Sequence, residues 1–114
     1  MPQHIRVFWG RMRGKVDLNF NWDAIGHESV VHISASEYVP LGRPPFTDES
    51  LKRHCGEAVV RVANIAPHGP PHDPNRGVTF SVIVDWNVWL PIVTDITVFD
   101  ERPLIHYQWN AVFQ

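Results

Sequence analysis

Val16-Asp17-Leu18-Asn19-Phe20-Asn21-Trp22-Asp23 alternates apolar and polar residues without a break. Side chains of a β-strand point to opposite faces in turn, so this stretch sets Val16, Leu18, Phe20 and Trp22 against a core and leaves a carboxamide and carboxylate row outside. A helix would scatter the same residues around its whole circumference. The segment therefore reads as a half-buried strand.

The same period recurs on both sides. Ile5, Val7 and Trp9 alternate with His4, Arg6 and Phe8, and Val31, Ile33 and Ala35 with His32, Ser34 and Ser36. Val60 and Val62 alternate with Arg61 and Ala63. Towards the C-terminus, Val78, Phe80, Val82, Val84 and Trp86 oppose Thr79, Ser81, Ile83 and Asp85. Ile92, Ile96 and Val98 oppose Val93, Asp95, Thr97 and Phe99, and Ile105, Tyr107, Trp109, Ala111 and Phe113 oppose Leu104, His106, Gln108, Asn110 and Val112. These rows are rich in β-branched and aromatic residues, which fit pleated surfaces.

Seven such runs in 114 residues predict one globular domain over residues 1–114, an antiparallel β-sandwich or partly open barrel, with the sandwich preferred. Short connections at Gly10–Gly14, Trp86–Pro91 and Asp100–Pro103 favour antiparallel neighbours and predict a meander from Val78 to Phe113. One short helix is expected at about 48–55. Thr47 would cap it, Asp48 and Glu49 would occupy its first turn, Lys52 to His54 its last, and Gly56 would end it. Ala66–Gly77, with four prolines, is expected to be an extended surface loop.

Composition narrows the function classes. Ten basic residues face twelve acidic ones without a one-sided basic surplus, which speaks against a nucleic-acid binder. No apolar run approaches the length of a membrane-spanning helix, and the N-terminal residues lack a signal-peptide pattern. The single cysteine, Cys55, cannot form an internal disulfide, so a cytoplasmic location is expected.

Candidate chemistry is sparse. His68, His72 and Asp73 offer nitrogen and oxygen donors, a weak alternative for a metal site. Pro70 and Pro71 forbid the helix that would converge them, and on an extended chain the imidazoles stand about 12 Å apart. Asp17, Asn19, Asn21, Asp23 and Glu28 have the spacing of a calcium loop, but Trp22 stands where that loop needs glycine. Cys55 lies beside His54, yet neighbours on a helix diverge by about 100°, which is poor geometry for a nucleophile and its base. Asp85 and Asp95 could approach across a ladder turning at Asn87–Leu90, but solvent-facing carboxylates, each paired with a nearby Arg or Lys, are the preferred account. No phosphate-binding glycine loop and no serine-nucleophile elbow occur.

The five tryptophans are the strongest handle. Trp86 ends a strand and Trp89 lies in the following loop, where an exposed ring can stack a ligand or anchor a partner. Apolar residues on both faces of the C-terminal strands, namely Phe80 and Ile83, Ile96 and Phe99, Trp109 and Val112, exceed what one interior face per sheet can bury. The expectation is a non-enzymatic interaction module that self-associates as a homo-oligomer, without a cofactor. Two other readings stand beside it. One is a small-molecule-binding barrel or sandwich, an enzyme if its aromatic pocket carries Asp85, Asp95 or His106; the other is a structural or assembly protein.

Overall fold

The computed structural model describes residues 2–40, 51–99 and 101–108. Its strands are β1 (Gln3–Met12), β2 (Gly14–Asn21), β3 (Val30–Pro40), β4 (Leu51–His54), β5 (Val59–His68), β6 (Gly77–Asp85) and β7 (Leu90–Phe99). They form two antiparallel sheets, one ordered β1-β7-β3-β4 and the other β2-β6-β5. The alternation explains the burial. The β6 row Val78, Phe80, Val82 and Val84 and the β7 row Ile92, Ile96 and Val98 are almost wholly buried. Both strands have neighbours on both sides, whereas the inward rows of the edge strands β1 and β2 are only half-buried.

The sheets are joined by a bent ribbon rather than by hairpins. β1 pairs with β7 from Gln3↔Val98 to Met12↔Leu90, and β2 pairs with β6 from Gly14↔Val84 to Asn21↔Gly77. On one side of the corner only Arg13 separates the sheets; on the other, four residues from Trp86 to Trp89 do so. Gly14 adopts φ 70°, which a side chain would disfavour, and this permits a one-residue corner. Buried Met12 fills its inside.

Four expectations are corrected. Short connections do not make neighbours of β1 and β2, nor of β6 and β7, because each connection steps between sheets; the expected meander is absent. The turn expected at Gly10–Gly14 shrinks to Arg13. The helix expected at about 48–55 is a strand over Leu51–His54, paired with Glu37–Pro40; residues 47–50 lie outside the described residues. Two turns of isolated helix gain little, and the ladder with β3 outweighs them. Finally, residues 104–108, read as the start of a strand, belong to neither sheet, and the rest of that run lies outside the described residues.

The proline segment is also more ordered than an extended loop. β5 continues through His68, and a β-bulge between Ala63 and Ala66 carries Asn64 at φ 55°. Beyond it, His72 N and Asp73 N donate to Gly69 O, and Asp73 Oδ1 accepts from Asn75 N. The loop is anchored to the residues after β2, where Trp22 N donates to Arg76 O at 2.8 Å and Arg76 Nε to Asp23 O at 3.0 Å.

Candidate functional site

The residues singled out from sequence fall in three places. Asp85, Trp86 and Trp89 share the corner. Asp95 sits on the outer face of the four-stranded sheet, and His106 on the exposed segment beyond β7.

At the corner, the ribbon bend expels the longer connection into solvent. Trp86, Val88 and Trp89 are 39%, 51% and 59% exposed. Val59, 53% exposed, pairs with Asp85, the residue before Trp86. Trp86 N donates to Val84 O at 3.1 Å, so the first ring starts from a fixed backbone. Arg11 of β1 and Arg13 at the one-residue corner are both exposed. The result is a run of exposed apolar side chains on the connection between β6 and β7.

Asp85 and Asp95 do not meet. Asp85 pairs with Val59 in the three-stranded sheet, whereas Asp95 pairs with Arg6 and Ser34 in the other. Asp95 is the centre of a polar cross-brace. Its Oδ1 accepts from Arg6 Nε at 2.6 Å, and its Oδ2 from Arg6 Nη2 at 2.9 Å and Arg53 Nη1 at 2.7 Å. Arg53 also donates to Ser34 Oγ and Ser36 Oγ, both at 2.9 Å. One carboxylate thus links all four strands of its sheet and fixes the short β4. Arg53 was read as part of a helix end, and no local signal joins it to a residue 42 positions away.

The Arg6 hydrogen bond, aided by Arg53 and opposed by partial burial, holds the Asp95 carboxyl below its ordinary pKa. A depressed native pKa means that the stabilisation is complete above the unfolded value and is lost as pH falls through the native one. Asp95→Asn is expected to cost about 1 kcal/mol at neutral pH, a modest figure because the Arg6 partner is half exposed. Urea unfolding of both proteins checks this: the gap narrows as pH falls from the ordinary carboxylate range through the lower native pKa, and a gap independent of pH contradicts the brace. Asp17, on the other sheet, is likewise held below its ordinary value, first by the Ser81 hydroxyl at 2.6 Å.

The histidine pair does not converge. His68 Nδ1 contacts Asn75 O at 2.7 Å and Nε2 contacts Asn19 Oδ1 at 2.6 Å, while Asp73 stands 3.7 Å from Nδ1. The His72 ring instead packs edge-on against His27, centroids 5.2 Å apart. Among the described residues no three His, Cys, Asp or Glu side chains are grouped to hold a metal. The calcium-spaced residues Asp17, Asn19 and Asn21 are strung along the outer face of β2, where Asn19 receives Thr79 Oγ1 at 3.1 Å.

An open cleft of about 340 Å³ lies where β3 and β4 part from β5, with Glu37, Arg53, His54, Cys55 and Val60 on its walls. None of Trp86, Trp89, Asp85, Asp95 or His106 lines it. Between the sheets, Phe80, Ile92, Ile96 and Val82 are packed to 1% exposure or less, so this interior is filled by side chains. Among the described residues no helix is long and apolar enough to cross a membrane. Compared with protein-family models, with curated proteins and with solved structures, the chain matches none.

Proposed function

We propose that this chain is a non-catalytic interaction module that self-associates, with the tryptophan corner as its contact surface. The observation that carries this reading is the exposure of Trp86, Val88 and Trp89 side by side on one corner connection. Large apolar groups clustered on a fixed scaffold mark contact surfaces, and tryptophan is the residue most enriched among those that dominate binding energy.

The location of the surplus differs from the sequence expectation. Phe80 and Ile96 both point inward and are buried. The outer face of the three-stranded sheet is largely polar, with Asp17 bonded to Ser81 and Asn19 to Thr79. Ile83 stands there between Lys15 and Arg61. Phe8 and Tyr38, on the strands either side of β7, meet with centroids 5.0 Å apart beside buried Val93. Association through the ends of the sandwich therefore fits better than stacking of its faces. A second copy is the simplest partner, since two-fold homodimers are the commonest assemblies. A cytoplasmic setting suits the exposed thiol of Cys55, which stays reduced there.

Sedimentation equilibrium of wild type and Trp86→Ala/Trp89→Ala tests the reading. Two central aromatic anchors removed together weaken association by about 100-fold or more. Both rings are exposed, so far-ultraviolet circular dichroism stays unchanged. A double variant that associates as tightly as wild type overturns the assignment of the corner.

A further inference from the structure

We infer that His68 is a proton-operated latch: its protonated ring fastens the proline loop, residues 69–76, to β2, and its neutral ring releases one of the two fastenings. The device lies away from the tryptophan corner and does not depend on self-association.

His68 ends β5, where the chain leaves the sheet for the loop. It pairs with Gly77 of β6, and Gly77 pairs in turn with Asn21 of β2. Because Gly77 has no side chain, the imidazole lies across β6 and reaches Asn19 of β2; a Cβ at Gly77 would stand 3.1 Å from its Cε1. The side chain is only 17% exposed.

Both ring nitrogens face oxygen. Nδ1 lies 2.7 Å from Asn75 O, and Nε2 lies 2.6 Å from Asn19 Oδ1. A backbone carbonyl only accepts, so Nδ1 must donate. The Asn19 amide presents its oxygen because its nitrogen is engaged elsewhere: Nδ2 donates to Asn21 Oδ1 at 2.9 Å, while Oδ1 also accepts from Thr79 Oγ1 at 3.1 Å. Nε2 must therefore donate too. A neutral imidazole has one N–H and one bare lone pair, so only the protonated ring satisfies both oxygens. The neutral ring sets a lone pair against one of them and lets that side go. Asp73 Oδ2, 3.7 Å from Nδ1, supplies the countercharge.

Among the described residues, Asp73 is the ionisable group beside the ring. On β2 the next charged side chain along the same face is Asp17, bonded to Ser81 and 3.5 Å from Lys15, and β6 offers only the hydroxyls of Thr79 and Ser81. On the loop itself, Arg76 donates to Asp23 O, and His72 packs against His27, which stands 3.5 Å from Glu28. Protonating His27 and His72 together sets like charges 5.2 Å apart and loosens the loop in acid. His68 acts with the opposite sign: the closed loop holds the extra proton, so closure is favoured in acid and weakens as pH rises through the histidine range.

Amide hydrogen exchange of the full chain tests the inference at Trp22, whose N–H donates to Arg76 O across the seam between loop and β2. Protection is normalised to the unstructured-chain rate at about pH 5 and about pH 8, on either side of the histidine range. The ratio of wild-type protection to that of His68→Gln cancels the His27–His72 contribution. It falls about tenfold from the acid to the alkaline condition, the loss of one charge-assisted hydrogen bond. The same ratio taken with Asn19→Ala, an exposed position, also falls, because without that oxygen a neutral ring serves Asn75 unopposed. Ratios equal at both pH values overturn the latch. A fall with His68→Gln but none with Asn19→Ala overturns donation from Nε2 and with it the fastening to β2.

Discussion

Replacing Phe80 by alanine is expected to lower the unfolding free energy by about 4 kcal/mol, at neutral pH and without changing the fold class. Phe80 is 1% exposed at the centre of β6, between β2 and β5. Its ring meets Trp9 edge-on at 6.2 Å, and Trp9 itself is positioned by a 2.8 Å hydrogen bond from Nε1 to Thr94 Oγ1. Truncation thus removes the contact between a side chain of one sheet and a side chain of the other. The cavity cannot collapse easily, since β6 is hydrogen-bonded on both sides. Domains of this size have about 5–15 kcal/mol in all, so the loss is a large fraction. Urea unfolding checks it: the midpoint falls sharply while the denaturant slope stays the same. A loss below about 1 kcal/mol would mean that Phe80 does not span the two sheets.

Gly77→Ala is expected to cost about 3 kcal/mol, the upper part of the range for overpacking. Gly77 is buried where β2, β6 and β5 end together, opposite Asn21 on one side and His68 on the other. An added Cβ would fall inside contact distance of Phe20 O, 2.8 Å from Asn21 Cα and 3.1 Å from His68 Cε1. Two of these neighbours are backbone, so the strands themselves must part. The displacement also disturbs His68, whose ring bridges Asn75 and Asn19 and closes the proline loop. Gly10→Ala is the internal control, because nothing lies within 4 Å of a Cβ there. Thermal unfolding of the two variants separates the cases. Equal melting points would contradict the close approach at the end of the three-stranded sheet.

The contrast between these residues and the corner shows what a single sequence reveals. Alternation told which side chains face inward, because pleating fixes that locally. Val78 to Val84 and Ile92 to Val98 are buried as their period requires. Alternation is silent about which strand lies beside which, since a ladder accepts any neighbour with a compatible row. The corners at Arg13 and at Trp86–Trp89 therefore read as connections between antiparallel neighbours. The β4 segment misled in another way: its cap, charge order and terminal glycine suit a helix, but pairing with Glu37–Pro40 and the clamp of Arg53 on Asp95 are long-range effects. Exposure of Trp89 was legible from its place in a loop. The Asp95 cross-brace was legible only to the extent that a carboxylate in an apolar strand calls for a cationic partner; Arg6 and Arg53 come from opposite ends of the sheet order.

The most direct test of self-association is the molar mass of the wild-type chain by light scattering across a dilution series. The proposed self-association predicts a mass that climbs from 13.1 kDa towards twice that value or more at tens of micromolar. A mass of 13.1 kDa at every concentration would contradict it.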